Sequence, residues 1–346
     1  MNKNLLVLLA AASLVAACNR NHGPVVSTYA GNGALAAVDG KAGEASFSNL
    51  MALAADSAGN IYVADSRNNL IRKVSAEGVV STLAGSGEPG SADGKGRLAS
   101  FFFPTAIAIN GHGVVYVADT HNSMVRKITP DGTVTTIAGR PNAVTANHPD
   151  TIVRFDNPYG IAVDKADNVF VADWDKDQIK KIGPDGKISI FAGSGVRGSK
   201  DDTGAKASFY LPEGICLDAK GNLFVADTYN NKIRKISPNG VVITLAGRSH
   251  KGSANGKGIA ASFSHPDGIA VDKKGNIYVA DVGNNKIRKI TADGTVSDFA
   301  GTGARGAENG EAAKASFYRP FGVAVDNAGN VYVADYQNNL VRKISY

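Results

Sequence analysis

The sequence is poor in the residues that build disulfide frameworks and common catalytic centres. It has 2 cysteines, Cys18 and Cys216, and 6 histidines that share no common repeat position. Two cysteines do not form a disulfide framework, and scattered histidines do not predict a zinc site. No phosphate loop, nucleotide fingerprint or Ser/His/Asp order occurs at a usable spacing, so the easily recognised nucleotide-binding and hydrolase classes are not indicated.

Long apolar runs are scarce too, and the clear one lies at the start of the chain. Residues 5–15 follow Lys3 and are almost wholly apolar, which is typical of a secretory signal and too short for a membrane-spanning helix. The run ends in the sequence LVAAC at Cys18, which resembles the lipobox of bacterial lipoproteins. In that family the cysteine carries the lipid after cleavage.

We therefore expect a signal peptide over residues 1–17, lipidation of Cys18 and a short tether over residues 18–24. The protein would be exported and anchored by lipid to a bacterial membrane, in the periplasm or at the cell surface. An ordinary secretory signal cut near Ala17 is the alternative. With Cys18 acylated, Cys216 has no partner, so no structural disulfide is expected. Cys216 takes a repeat position that is alanine elsewhere, as at Ala54 and Ala270, and is predicted to be a small core residue.

A strict internal repeat organises the rest of the sequence. The tripeptide VAD recurs every 54 residues, with its aspartates at Asp65, Asp119, Asp173, Asp227, Asp281 and Asp335. The repeat also spreads the basic residues, because twelve of the 37 Lys and Arg form one Arg-Lys or Lys-Lys pair per unit. The net charge of +6 therefore does not indicate a single nucleic-acid-binding patch.

Each unit contains four short β-rich runs, which we name strands a to d. In the unit around Asp227 they cover residues 214–218, 222–227, 232–236 and 241–247, with turns such as Pro238-Asn239-Gly240 between them. Six antiparallel units leave sheet edges that closure into a ring protects. The sequence therefore predicts an all-β, six-bladed β-propeller over residues 25–346, with strand a innermost and strand d outermost.

The two ends of the chain predict how the ring closes. The last unit stops after its strand c, and residues 25–31 match the strand d of other units. We expect the N-terminal segment to supply the missing strand of the last blade.

The repeated residues carry a resemblance to a known family. The segment from Pro266 to Ile290, with PDGIAVD followed by GNIYVAD and IRKI, resembles the NHL repeat, and its glycine-rich connections are similar to those of teneurin-like propellers. The resemblance implies the propeller fold. NHL-like propellers include RNA and protein binders, metal-dependent lyases and lactonase-like hydrolases, so it does not select a function.

The topology places the long d-to-a connections and the b-c turns on one face, here called the long-loop face. Residues found in every copy, such as the VAD aspartates and the phenylalanines equivalent to Phe263, are interpreted as structural; the aspartates are expected to cap turns and pair with strand-c arginines.

Two positions of this face vary between copies. The first ring, just before strand a, is Met51, Thr105, Tyr159, Glu213, Asp267 and Phe321; the second, just after VAD, is Ser66, Thr120, Trp174, Thr228, Val282 and Tyr336. Free drift of loop residues is the alternative explanation of this variation.

The third unit departs most from the repeat, with the sequence WDKD at Trp174 and an incoming loop, residues 140–154, that lacks the usual Asp-Gly. We predict a binding site on the long-loop face, formed by Tyr159, Trp174, Asp175, Glu213, Tyr229, Asp267, Phe321 and Tyr336.

The leading hypothesis is a monomeric, non-enzymatic scaffold that binds a protein, peptide or glycan, without nucleic acid and without a required cofactor. The alternative is a metal-assisted hydrolase or lyase of lactonase-like type, in which Glu213 and Asp267 hold calcium or work as an acid-base pair. RNA binding, as in some animal NHL proteins, conflicts with the export signal.

Overall fold

The computed structural model describes residues 23–139 and 155–346. The predicted signal peptide, the lipidation site Cys18 and most of the tether lie outside the described residues, as does the incoming loop of the third unit. Among the described residues, no helix has the length and apolar character needed to cross a membrane.

The described chain is almost entirely β-structure. The strands, in chain order, are β1 (Val25–Ala30), β2 (Gly40–Lys41), β3 (Leu50–Ala55), β4 (Ile61–Asp65), β5 (Leu70–Val74), β6 (Val79–Ala84), β7 (Gly94–Lys95), β8 (Pro104–Ile109), β9 (Val115–Asp119), β10 (Met124–Ile128), β11 (Thr133–Gly139), β12 (Pro158–Val163), β13 (Val169–Asp173), β14 (Gln178–Ile182), β15 (Ile188–Ala192), β16 (Pro212–Leu217), β17 (Leu223–Asp227), β18 (Lys232–Ile236), β19 (Val242–Gly247), β20 (Gly256–Lys257), β21 (Pro266–Val271), β22 (Ile277–Asp281), β23 (Lys286–Ile290), β24 (Thr295–Ala300), β25 (Gly310–Glu311), β26 (Pro320–Val325), β27 (Val331–Asp335) and β28 (Leu340–Ser345). Single 3-10 turns cover Ser66–Asn68, Gly96–Leu98, Thr120–Asn122, Trp174–Lys176, Gly204–Lys206, Thr228–Asn230, Gly258–Ala260, Val282–Asn284 and Tyr336–Asn338.

These strands form six antiparallel sheets, each a meander of strands a to d. The innermost strands β3, β8, β12, β16, β21 and β26 contact one another in sequence, and β26 contacts β3. The predicted six-bladed β-propeller is therefore confirmed, with blades 1 to 6 beginning at these innermost strands.

Strand d is not the outermost strand of every blade, which corrects the sequence-based expectation. In four sheets a two-residue strand from the incoming loop, β2, β7, β20 or β25, pairs outside it; Gly94, for example, pairs with Val134. A free sheet edge exposes unpaired backbone groups, and the loop covers part of that edge.

Closure of the ring follows the prediction. β1 pairs antiparallel with β28, with Val26 opposite Ile344 and Thr28 opposite Arg342. The first residues of the propeller thus supply the d strand of blade 6. Val26 is only 1% exposed, so this closing strand also contributes to the core.

A hydrophobic core fills each space between neighbouring blades. Between blades 1 and 2, for example, Tyr62 and Ile71 pack with Val117 and Ile128 around Phe101, which is fully buried. The strand-b residues that end in VAD are buried along their whole length. Every blade buries its strand b in the same way, so the same apolar residue types recur at these positions in each unit.

The VAD aspartates of five blades each join three elements of their blade, as expected for a structural residue. Asp227 accepts hydrogen bonds from the backbone N–H of Tyr210, at 2.9 Å, and from Asn230 Nδ2, also at 2.9 Å. Its Oδ2 pairs with Nη1 of the fully buried Arg234 at 2.6 Å, and the Arg234 guanidinium lies over the Phe209 ring. Equivalent Arg–Asp pairs occur in blades 1, 2, 5 and 6; in blade 3 Lys180 pairs with Asp173.

Glycines let the innermost strands approach closely at the axis. A Cβ on Gly160 would lie 2.0 Å from the Glu213 carbonyl oxygen of the next blade, and one on Gly268 would lie 2.1 Å from that of Phe321. Such distances are far below van der Waals contact, so a larger side chain would push neighbouring blades apart. This packing brings the first-ring side chains of adjacent blades together.

Candidate functional site

The two variable rings lie side by side because the b-c turns bond to the segments that precede strand a. Trp174 N donates to the Asn157 carbonyl at 3.0 Å, and Tyr229 N donates to the Tyr210 carbonyl at 3.3 Å. The long loops and b-c turns therefore share one face. The first ring is not in a loop before strand a, as the sequence suggested, but is the second residue of each innermost strand. In blade 4 the strand begins at Pro212, which pairs with Asp227, two residues before the predicted start at residue 214.

Three members of the second ring have a structural role that the sequence did not reveal. The hydroxyls of Ser66, Thr120 and Thr228 donate to the carbonyl oxygen of the first strand-a residue of the next blade, at 2.6, 2.7 and 2.7 Å. These bonds join neighbouring blades. The members without such a bond to the next strand a, Trp174, Val282 and Tyr336, are therefore better candidates for ligand contacts.

Glu213 and Asp267 meet where blades 4 and 5 adjoin. Their carboxyl groups share a hydrogen bond, and Glu213 is also bonded to the side chains of Thr228 and Trp174. They are 8% and 6% exposed, respectively. Burial raises the pKa of Glu213 to about 7. Burial and the adjacent Glu213 carboxylate raise the pKa of Asp267 well above its usual range.

One carboxylate oxygen of this pair is unsatisfied. Asp267 Oδ2 is buried and has no hydrogen-bond partner among the described residues. Asp267 lines a small cavity of about 70 Å³ on the propeller axis, the axial cavity. A buried polar atom without a partner is uncommon, and it marks this position as one that can accept a hydrogen bond from a bound group.

Aromatic side chains surround the carboxyl pair. Trp174 Nε1 donates to Glu213 Oε1 at 3.2 Å, and the Trp174 ring stacks on Tyr159 with centroids 6.4 Å apart. Burial first, and then the carboxyls of Asp267 and Glu213, raise the pKa of the Tyr159 hydroxyl well above its usual range. The Tyr159 phenol is therefore protonated and available as a donor at neutral pH.

A larger cavity of about 510 Å³, the mouth cavity, opens above these residues on the long-loop face. It is lined by Tyr159, Glu213, Thr228, Tyr229, His265, Val282, Gly283, Asn285, Arg305, Arg319 and Phe321. Its volume is in the range of small-molecule sites, which is about 300–1,000 Å³. Tyr159 lines both cavities, so it borders the mouth cavity and the axial cavity alike.

The structure brings most of the predicted site residues together. Tyr159, Glu213, Tyr229 and Phe321 line the mouth cavity. Asp267 and Trp174 contact Glu213, and Tyr336 packs on Phe321 with ring centroids 4.7 Å apart. Asp175 is exposed and does not line either cavity; its carboxylate accepts a hydrogen bond from Asn157 Nδ2 instead.

Sequence reasoning missed His265, Arg305 and Arg319. His265 and Arg319 occupy the position before the strand-a proline, where both have a left-handed φ of 50°. Their backbone N–H groups donate to Asn231 and Asn285 of the preceding blade. A left-handed conformation is unusual for such large side chains. The residue at this position differs between units, and this variation was the available sequence signal. Only the structure shows that His265 and Arg319 border the mouth cavity.

The structure also places the residues considered for metal and thiol chemistry. No group of three or more His, Cys, Asp or Glu that could hold a metal ion occurs in the part of the chain that the structure describes. Cys216 is partly buried against the core between blades 4 and 5, and burial raises the pKa of its thiol. Cys216 is thus a packing residue, as its repeat position predicted.

Comparison with protein families agrees with the geometry of the blades. The model of the NHL repeat matches residues 209–236, 263–290 and 317–344. The chain contains NHL repeats. A second model, the SMP-30/Gluconolactonase/LRE-like region, matches residues 56–191. The NHL matches begin at the fully buried Phe209, Phe263 and Phe317, so each covers the inter-blade phenylalanine and the first three strands of a blade.

Three curated proteins with similar sequences extend the comparison. The chain is 31% identical to SUPPRESSOR OF QUENCHING 1, chloroplastic, of Arabidopsis thaliana over 76% of this chain and 27% of that protein. It is 29% identical to NHL repeat-containing protein 2 of Bos taurus over 82% of this chain and 44% of that protein. Teneurin-3 of Danio rerio is 31% identical over 57% of this chain and 8% of that protein. The chain spans less than half the length of these relatives.

Solved structures share the propeller fold at low sequence identity. An auxiliary nutrient binding protein from Bacteroides thetaiotaomicron is 16% identical with a TM-score of 0.73, covering 94% of this chain and 77% of that chain. Virginiamycin B lyase from Staphylococcus aureus is 16% identical with a TM-score of 0.55, covering 86% of this chain and 80% of that chain. At this level of identity the likeness concerns the fold of the NHL propeller alone.

Proposed function

We propose that this NHL propeller is a binding scaffold that holds a glycan in its mouth cavity. The observation that carries the proposal is the lining of that cavity, where aromatic side chains from blades 3, 4 and 6 lie together with the buried Glu213, whose carboxyl group is hydrogen-bonded to that of Asp267. Tyr159, Tyr229 and Phe321 contribute aromatic rings to this lining, whereas Glu213, His265 and Arg319 contribute hydrogen-bonding groups. A saccharide presents both an apolar ring face and hydroxyl groups, so it matches this combination better than an apolar ligand does.

The location of the protein is part of the proposal. We propose that it is exported and tethered at the bacterial cell envelope through lipid on Cys18, because LVAAC follows a short apolar run. The fold shared with an auxiliary nutrient binding protein of Bacteroides is consistent with a role in capturing nutrients there. A tethered binding propeller would hold an extracellular glycan close to the membrane.

A glycan-binding screen on the protein without its signal peptide tests this function. We expect one class of envelope or dietary glycan to bind, and Phe321→Ala and Tyr229→Ala to weaken that binding by at least about tenfold, because each removes a ring face. Phe102→Ala is the matched control: Phe102 is exposed near the same face but does not line the mouth cavity. Binding of peptides but no glycan would overturn the assignment, as would unchanged glycan affinity in both cavity variants.

A second candidate function is an acid-base hydrolase or lyase of lactonase-like type. The observation in its favour is the pKa of Glu213, which burial raises to about 7, where a carboxyl group can both accept and donate a proton. The gluconolactonase-like match covers residues 56–191, however, and includes neither Glu213 nor Asp267. If this candidate is correct, the protein converts the bound saccharide to a product. Glu213→Gln should then lose turnover but still bind the saccharide.

A metal-assisted version of that reaction fits the residues less well. Calcium takes about six to eight oxygen ligands, and the described site supplies two carboxyl groups that are hydrogen-bonded to each other. Glu213 and Asp267 are the residues that would contact a cation. Metal analysis of the purified protein, repeated with Glu213→Gln, tests this version; no change in metal content between the two proteins would count against it.

A further inference from the structure

Two arginines at the mouth cavity carry charges that no described carboxylate neutralises. Arg305 and Arg319 line the cavity and are exposed, and neither is within ion-pair distance of a carboxylate among residues 23–139 and 155–346. Each instead lies against an aromatic ring: Arg305 is 5.3 Å from the Tyr318 centroid and Arg319 is 5.5 Å from that of Phe321. Such stacking restricts a guanidinium without using its hydrogen-bond donors.

The repeat supplies an internal comparison for Arg305. Arg197 occupies the same repeat position two units earlier and lies 5.2 Å from the Tyr210 ring. Its Nε lies 3.6 Å from Oδ2 of Asp177. The residue equivalent to Asp177 in the unit of Arg305 is Asn285, which is neutral and lines the mouth cavity. The arginine–aromatic contact is thus retained at Arg305, whereas the neutralising carboxylate is replaced by an amide.

The surroundings of these arginines are positive. The pKa of His265 is lowered, first by burial and then by the charges of Lys251 and Arg319. Burial raises the pKa of Glu213 to about 7, and burial together with the Glu213 carboxylate raises that of Asp267 well above its usual range, so the carboxyl pair carries a proton at neutral pH. At most one negative charge therefore remains on the pair, against the two guanidinium groups of Arg305 and Arg319 that line the mouth cavity.

We propose that the ligand of the mouth cavity is an acidic saccharide, whose anionic group is bound by Arg305 and Arg319 while its ring packs on Phe321 or Tyr229. This inference rests on the proposed glycan-binding function and specifies the class of glycan. Guanidinium groups form paired, charge-assisted hydrogen bonds with carboxylate and sulfate. A uronic acid and a sulfated sugar share this chemistry.

The test compares acidic and neutral oligosaccharides by calorimetry. The probes are oligomers of galacturonic acid, sulfated chondroitin oligomers and neutral galactose oligomers of the same length, with a glutamate hexapeptide as the peptide arm. We expect one of the two acidic saccharides to bind at least about tenfold more tightly than the neutral one, with affinity falling as salt is raised. Which acidic saccharide binds distinguishes carboxylate from sulfate recognition.

Variants assign that preference to the two arginines. The double variant Arg305→Ala/Arg319→Ala should reduce acidic-saccharide affinity at least about tenfold, whereas Arg197→Ala, at the equivalent position beside Asp177, should leave it unchanged. Asn285→Asp should also weaken binding, because it recreates beside Arg305 the carboxylate that Arg197 already has. Circular dichroism melting of each variant confirms that the propeller is intact.

The outcomes separate this inference from the function on which it rests. Equal affinity for neutral and acidic saccharides, or an unchanged preference in the double variant, would overturn the inference and leave glycan binding standing. Binding of the glutamate peptide without any saccharide, or no binding in any arm, would overturn both.

Discussion

Trp174 and Glu213 are joined by a hydrogen bond of 3.2 Å from the indole Nε1 to the carboxyl Oε1. Trp174 follows strand b of blade 3 and Glu213 lies in the innermost strand of blade 4, so the bond crosses a blade boundary beside the mouth cavity. Trp174 is the single tryptophan of the sequence. The contact therefore has its own spectroscopic signal. It also joins the aromatic side chains of the site to its ionisable carboxyl groups.

Tryptophan fluorescence should report the ionisation of Glu213. Because burial raises the pKa of Glu213 to about 7, we expect the emission of Trp174 to titrate with a midpoint at about pH 7 as the bonded carboxyl gains or loses its proton. Glu213→Gln should remove this transition. A wild-type emission that stays constant between about pH 5 and pH 9 would contradict a shifted carboxyl at this position.

The same carboxyl should make the stability of the protein depend on pH. The folded-state pKa of Glu213, about 7, lies above its ordinary value of 4.5, so the native state binds more protons than the unfolded state between these values. Stability contributed by this group is therefore complete below about pH 4.5 and is lost as pH rises through about 7.

At about pH 8, Glu213→Gln should consequently be more stable than wild type, with a higher melting temperature and a free energy of unfolding larger by up to about 3 kcal/mol. At about pH 4 the variant should show no such gain in stability. Calorimetric melting at both pH values measures the difference. Equal destabilisation of the variant at both pH values would instead indicate that the glutamate is needed for packing.

Loss of a VAD aspartate should destabilise the propeller. Asp227→Ala removes the buried carboxylate that pairs with Arg234 at 2.6 Å and leaves Arg234 with the partly exposed Asp201. Breaking a buried ion pair costs about 3–5 kcal/mol. We expect a clear fall in the melting temperature. Glu88→Ala, which changes an exposed carboxyl on a long loop, is the control and should melt like the wild type. A melting temperature of Asp227→Ala within error of the control would remove the structural interpretation of the six aspartates.

Ring closure should depend on the inward side of β1. Val26 is 1% exposed and faces Ile344 across the closing pair, so Val26→Asp buries an unpaired charge and should open the ring or prevent folding. Ser27→Asp, on the exposed side of the same strand, should be tolerated. Limited proteolysis near the N-terminus reads out the difference; equal protease resistance of the two variants would argue against closure by this strand.

Lipidation of Cys18 is tested in cells that express the full chain. Wild type should incorporate labelled palmitate and fractionate with membranes, whereas Cys18→Ser should do neither, because the acyl chains provide the anchor. Cys216→Ser serves as the control, since its thiol lies in the propeller. Membrane fractionation of Cys18→Ser at wild-type levels would show that another part of the chain provides the attachment.

The repeat explains why so much of the fold was predictable. The spacing of Asp65, Asp119 and their equivalents fixed the number of blades, and the match between residues 25–31 and other d strands indicated the closing pair. Local turn chemistry placed the strand boundaries within a few residues. The two-residue strand at Gly94, which pairs with Val134, was not predictable, because nothing in a glycine-lysine pair specifies its partner.

The site was predicted only in part, for a different physical reason. Variation at aligned positions identified Tyr159, Trp174 and Glu213, but it gave the same weight to Ser66 and Thr120, whose hydroxyls bond to the next blade. Distances between side chains of different units determine which variable residue packs and which faces a ligand. A one-dimensional repeat contains no such distances.

By itself, the sequence determined the architecture of this protein, because every unit repeats the same local turns and the same buried strand. Only the tertiary structure decided the chemistry of the mouth cavity. The carboxyl groups of Glu213 and Asp267 meet because two glycine-lined strands approach closely at the axis. Arg305 and Arg319 share the mouth cavity because the long connection from β24 to β26 folds back on the same face. Burial and proximity, which set the pKa values and the charge of the site, arise only when the ring has closed.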